Sequence, residues 1–223
     1  MDFALSEEQE ILRKSAREFL ENEWPPKFVR AMEVDEKGYS PQLWKKMAEL
    51  GWMGLIFPEE YGGTGSDFLT LAILIEEMGR VLLASPFIST VVYCGLAILR
   101  YGTEEQKREF LPKIVQGEVI MTLAIIESNS HCDETGIETK ASRSNGDYIL
   151  SGTKLFVPDA HIADWLLCTA KGGEGITLFL VRAKSPGVNL TLLKTLASDK
   201  QCEVILDEVR VPGKNILGKS EIG

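Results

Sequence analysis

The chain has 223 residues, 44% of them hydrophobic, enough for one large or two small domains with a real core and too apolar for a disordered polymer. Its net charge of -9, with no long basic block to offset it, excludes a nucleic-acid-binding surface, which needs clustered Lys and Arg. The four cysteines, Cys94, Cys132, Cys168 and Cys202, lie far apart without a C-x-x-C pair, which predicts reduced thiols and a cytoplasmic setting.

The two histidines are His131 and His161. His131 and Cys132 are adjacent, so on a strand their side chains diverge, and a zinc site has little support. The acidic N-terminus does not read as a signal peptide. Val81 to Leu99 is 19 residues without a charge, long enough for a membrane span. Ser85-Pro86 breaks it into a helix end, a turn and a buried helix, so no membrane span is expected.

The first half reads helical. Ser6-Glu7-Glu8-Gln9 is a capping box, and Ile11, Leu12, Ala16, Phe19 and Leu20 follow near one helical face. Trp24-Pro25-Pro26 ends that helix. Ser40-Pro41 opens the next and Gly51 closes it. The glycine-rich stretch from Gly51 to Gly65 lacks the G-x-x-x-x-G-K-[ST] pattern, so it reads as a structural connector rather than a phosphate cradle. Asp67 caps a largely apolar helix from Phe68 to about Leu82. A further helix spans Ile88 to Arg100. Thr103-Glu104-Glu105-Gln106 then repeats the capping box, in a helix that ends near Leu111-Pro112 or kinks past it.

From Val119 the pattern turns to strands: Tyr148–Leu150, Leu155–Val157, Trp165–Thr169, Ile176–Val181, Val188–Leu193 and Glu203–Val211. Asn145-Gly146 predicts a type I′ hairpin turn, and Gly172-Gly173-Glu174-Gly175 a second hairpin. That glycine cluster is no dinucleotide fingerprint, because the third glycine is missing and no helix follows. The expected fold is therefore α+β: an all-helical N-terminal domain over residues 1–118, then a β-barrel-like or β-sandwich middle domain over 119–223.

The order and spacing of several markers resemble the acyl-CoA dehydrogenase family over essentially the whole chain. They are Gly51-Trp52-Met53-Gly54-Leu55 through Pro58-Glu59-Glu60-Tyr61-Gly62-Gly63, Gly102 to Lys107 with Leu111-Pro112, Gly152-x-Lys154, Ala163-Asp164, and Val209 to Pro212 with Leu217-Gly218. The resemblance implies a flavoprotein oxidoreductase of fatty acid metabolism. In that chemistry a carboxylate takes the α-proton of an acyl-CoA thioester, the β-hydrogen leaves as hydride to FAD, and electrons pass to an electron-transfer flavoprotein. It also implies a homo- or hetero-oligomer when full length, and a third, helical domain that carries the catalytic carboxylate. The sequence stops where that domain would begin, which gives the expectation of a truncated chain, inactive alone, with no catalytic residue assigned.

The same resemblance marks the flavin-facing positions. The first segment, Leu123 to Asp133, contributes Leu123, Ile125, Ile126 and Cys132, with Cys132 also reaching the substrate. The second contributes Phe156, Val157 and Pro158. The family usually reads Thr-Glu-Pro-x-x-Gly-Ser-Asp in the first; here Glu127 and Asp133 match, and Ile126, Ser128, His131 and Cys132 do not. Glu127 falls on a position that is structural in the family. Phe156-Val157-Pro158 stands where Trp-Ile-Thr or Trp-Ile-Ser is usual, so a hydroxyl and an N–H are lost at Pro158. Any flavin held there depends chiefly on backbone groups. Lys154 reads as a strand-end residue in solvent. The departures leave a second expectation open, a non-catalytic subunit paired with an active homologous one.

Overall fold

The computed structural model describes residues 4–129, 136–173 and 175–218. Helix α1 (Glu7–Glu23) starts as its capping box requires: Ser6 Oγ accepts from Gln9 N–H at 3.2 Å, and Gln9 Oε1 accepts from Ser6 N–H at 3.0 Å. Its apolar face is narrower than the sequence implies, with Ala16 and Leu20 buried and Ile11 exposed. Helix α2 (Pro26–Val34) was not expected, because no side chain caps it. It begins on Pro26 instead, and Phe28 stacks on Trp24 at 5.7 Å. Helix α3 (Pro41–Glu49) runs from the Ser40 cap, and Gly51 follows with φ +77.

Residues 51–66 fold back on themselves. Gly54 O accepts from Phe57 and Thr64 N–H, and Phe57 O accepts from Gly65 N–H. Gly63 sits inside this knot, where a Cβ would lie 2.0 Å from Phe57 O. The glycines here thus build a connector.

Helix α4 (Phe68–Arg80) is capped by Asp67. It ends before Leu82, which takes φ +52. Among its buried apolar residues lies Glu77, held by Arg17 Nη2 at 2.6 Å and Arg80 Nε at 2.9 Å. Hydrogen bonding from Arg17 is the chief cause that holds this carboxyl below its ordinary range. The pair ties α1 to α4.

The helix expected from Ile88 to Arg100 divides in two. Ile88–Gly95 is a π-helix, and α5 (Leu96–Tyr101) continues it. A wider turn of this kind is uncommon and tends to occur at functional sites. Gly95 faces Phe57, whose Cζ would lie 2.5 Å from an added Cβ. Its missing side chain makes room for that ring and opens no pocket. Helix α6 (Glu104–Val115) has both capping-box bonds and runs past Pro112. No helix among the described residues is long and apolar enough to cross a membrane.

The second half is a seven-stranded mixed sheet: β1 (Met121–Ala124), β2 (Lys140–Ser144), β3 (Asp147–Pro158), β4 (Trp165–Gly172), β5 (Gly175–Arg182), β6 (Val188–Leu192) and β7 (Gln201–Val211). The order is β1-β4-β2-β3-β7-β6, with β5 on β4. Asn145 (φ +53) and Gly146 (φ +87) join β2 to β3 with Ser144 opposite Asp147, the two-residue turn that their types favour. The two short strands expected around Gly152 are one strand, β3, with irregular register on β7. Phe110 of α6 meets Trp165 of β4 edge-on at 5.2 Å, so the helices pack against the sheet. Thr90 Oγ1 anchors the π-helix to β1, bonding both N and O of Met121 at 3.0 Å.

The Gly51–Gly65 connector makes the first prediction. Gly63→Ala must displace a carbonyl oxygen rather than a pliable side chain, so it should destabilise the chain by about 2–3 kcal/mol. Chemical denaturation would measure it, and an unchanged midpoint would contradict this packing.

Candidate functional site

The first expected segment leaves β1 at Ala124, and the second is the far end of β3. The two meet: Leu155 N–H donates to Ile126 O at 2.8 Å. Beneath the junction lies Lys154, which is 0% exposed and therefore not a solvent residue. Its ammonium donates to Glu127 Oε1 at 2.5 Å, Thr169 Oγ1 at 2.8 Å and Ile125 O at 3.4 Å. The other side of the Glu127 carboxylate accepts N–H bonds from Glu138 at 2.8 Å and Thr139 at 3.0 Å. A buried charge is tolerated only when paired and hydrogen-bonded, and both charges here satisfy that condition. Burial works to raise the Glu127 pKa; the Lys154 bond and the backbone donors outweigh it, so the carboxyl sits below its ordinary range. Gly152 admits Thr139 to this cluster, since a Cβ there would lie 2.4 Å from Thr139 Oγ1. Cys168 lies buried in the field of the same pair, and burial pushes its thiol up to about 11. It is thus no nucleophile at neutral pH.

The pair sets what the surface above it presents. In a regular strand Lys154 and Phe156 would share a face. Here the β3–β7 register shifts between Lys154 and Val157, and Phe156 takes φ +53. Lys154 and Val157 point into the core while Phe156 is 52% exposed. A left-handed conformation at a bulky residue is strained and marks a place the fold over-determines. Ile125 and Ile126, 36% and 43% exposed, belong to the neighbouring segment that Leu155 N–H bonds through Ile126 O. Leu123 is half-buried.

A peptide's C=O and N–H point opposite ways. Because Ile125 O faces the buried Lys154 ammonium and Ile126 O faces Leu155 N–H, the N–H of Ile126 faces away from Lys154 and that of Glu127 away from Leu155. The Glu127 N–H was missed in the sequence; the signal for it is the partner of the preceding carbonyl. Pro158 has no N–H, and its carbonyl accepts from Thr122 Oγ1 at 2.6 Å. The result is an apolar shelf edged by backbone donors, which fits one face of a flat heteroaromatic ring. His131 and Cys132 lie outside the described residues.

Helices packed on a mixed sheet make this an α+β protein, with the junction of the two segments as its candidate site. Models of the acyl-CoA dehydrogenase N-terminal domain and middle domain match residues 6–118 and 122–209. The chain is 35% identical to "Acryloyl-CoA reductase (NADH)" of Anaerotignum propionicum, over 100% of this chain and 59% of that protein. Its fold is similar to that in the crystal structure of the ChsE4-ChsE5 complex from Mycobacterium tuberculosis, with TM-score 0.90, 26% identity, and 99% and 59% of the two chains covered. It is also similar to a glutaryl-CoA dehydrogenase from Mycobacterium smegmatis in complex with FADH2, with TM-score 0.87, 26% identity, and 96% and 56% covered. The chain belongs to the acyl-CoA dehydrogenase family. It spans about 59% of the length of the first of these relatives.

Removing one partner of the buried pair gives the second prediction. Lys154→Met strands the Glu127 carboxylate and should cost about 3–5 kcal/mol, much of it recovered by adding Glu127→Gln. The folded pKa of Glu127 is lowered, so its contribution is complete above the ordinary carboxylate value and is lost as pH falls through the folded value. In the single variant only the Glu138 and Thr139 N–H bonds oppose burial, so that pKa is higher than in the wild type. Denaturant titrations should therefore show the gap between wild type and Lys154→Met closing as pH falls below about 4.5; a gap that widens would contradict the pairing.

Proposed function

We propose that the chain is the helical and sheet portion of a flavin-dependent acyl-CoA dehydrogenase, with a helical domain over residues 1–118 and a middle domain over 119–223. The carrying observation is the exposed apolar set Ile125, Ile126 and Phe156, with the Ile126 N–H turned away from the Lys154 ammonium and the Glu127 N–H turned away from Leu155. FAD bound there would supply the hydride acceptor for α,β-dehydrogenation of an acyl-CoA thioester. Phe156 offers a flat apolar face to the ring, and the two N–H groups offer donors to its polar edge. Leu123, in β1, packs against the core. Val157, buried in the core, contributes through its backbone and fixes the flip of Phe156. Pro158 shapes the rim and donates nothing. Cys132 belongs to this reading as a contact to cofactor and substrate. Family membership, and a relative's complex with FADH2, support the choice of flavin.

In the same reading, electrons leave to an electron-transfer flavoprotein, and the protein works as an oligomer. One observation favours a second reading, a non-catalytic subunit of a heteromeric dehydrogenase. At Pro158 no N–H exists and the carbonyl is already engaged, so this position brings no polar group to the ring.

Fluorescence titration of FAD with the 223-residue chain separates the two. Uptake should quench the flavin, and Phe156→Ala should weaken uptake about tenfold through loss of ring contact. A chain that takes up no FAD would overturn the flavin reading and leave the non-catalytic one.

A further inference from the structure

A cleft of about 510 Å³ opens where Pro158 meets the helical half. It shares Pro158 with the shelf, so a ligand bound at the shelf has this cleft beside it. Its walls are apolar in part, from Met32, Leu83 and Ile88. Its interior is not. The π-helix turns Ser89 and Tyr93 toward the same space, and β3 is followed by Asp159, held at φ +57. Ser89, only 4% exposed, donates from Oγ to Asp159 Oδ2 at 2.5 Å. Asp159 N–H in turn donates to Lys200 O at 2.9 Å, which fixes its backbone. Ser85 Oγ is buried in the cleft wall without a hydrogen-bond partner among the described residues. An orphaned hydroxyl and a built, half-buried carboxylate beside an open volume are an unmet demand for a polar ligand group.

The charge around the cleft has one sign in excess. Glu33 and Asp199 line it with Asp159. The Lys200 ammonium donates to Glu33 O at 2.9 Å. With its hydroxyl proton given to Asp159, Ser89 Oγ keeps lone pairs, and the second carboxylate oxygen of Asp159 is an acceptor as well. A plain hydrocarbon placed here would strip water from these acceptors and return nothing.

We propose that this cleft receives the acyl tail of the thioester and selects a tail bearing a hydrogen-bond donor, with Ser89 and Asp159 as the specificity-determining pair. The inference rests on the acyl-CoA reading above and narrows its substrate class to acyl groups with a hydroxyl or ammonium on the chain.

Burial, only partly offset by the Ser89 bond, pushes the Asp159 carboxyl up. A raised folded pKa in an acid means that its ionised form costs the fold stability above that value. Asp159→Asn removes the charge and keeps an acceptor for Ser89, so it should fold and melt slightly higher.

The test is calorimetric titration of the FAD-supplemented 223-residue chain with alkanoyl-CoA and ω-hydroxyalkanoyl-CoA thioesters, paired by equal heavy-atom count across a series of tail lengths. At one length the hydroxylated member should bind about tenfold or more tighter, the range of a hydrogen bond to a charged group. Asp159→Asn and Ser89→Ala should each shrink that ratio, the former while gaining thermal stability, which a merely structural role would not produce. Equal binding of the two series at every length, or a preference that survives both substitutions, overturns the inference and leaves the acyl-CoA reading standing. Absence of binding by either series overturns both.

Discussion

The Glu127–Lys154 pair is the contact on which the candidate site depends. It joins residues 27 apart in sequence and gathers four more groups around two charges: the N–H groups of Glu138 and Thr139, the hydroxyl of Thr169 and the carbonyl of Ile125. Such a pair adds little net stability over a well-packed apolar substitute, because both ions lose their water. What it provides is direction. With Ile125 O turned toward the ammonium, the next N–H is turned out, and the chain leaving β1 presents donors where a cofactor could meet them.

The bulge in β3 completes this arrangement from the other side. One strand must bury Lys154 and Val157 and still expose Phe156, which strict alternation forbids. The left-handed turn at Phe156 resolves the conflict at a local cost in strain. The π-helix acts similarly in the helical layer. Its wider turn places Thr90 on β1 and Ser89 on Asp159 at once, so the helices and the end of β3 are fixed relative to each other beside the shelf.

Much of the frame was legible because its signals are local. Ser6 with Gln9, Thr103 with Gln106, and Asn145-Gly146 each carry their chemistry within four residues, and each forms the expected bonds or dihedrals. Helix α2 was not, because it has no capping side chain, and the π-helix was not, because helical periodicity does not distinguish the two turns. The burial of Lys154 depends on a partner 27 residues away. A lysine next to a strand end otherwise belongs in water. The family motif pointed to the two segments but did not reveal that Phe156 is flipped outward or that Pro158 has its carbonyl engaged, since both follow from tertiary pairing. The polar cleft behind Pro158 had no sequence signal at all: Ser89 and Asp159 are 70 residues apart.

The central claim is that backbone donors held by a buried ion pair, rather than polar side chains, present the shelf to a flavin. Amide-resolved NMR of the isotopically labelled chain, recorded as FAD is added, tests it most directly. The account predicts that the N–H resonances of Ile126 and Glu127 shift together with the ring signals of Phe156, while the Lys154–Glu127 cluster stays unchanged. Saturable FAD binding that leaves those amides unmoved and perturbs another surface would contradict it.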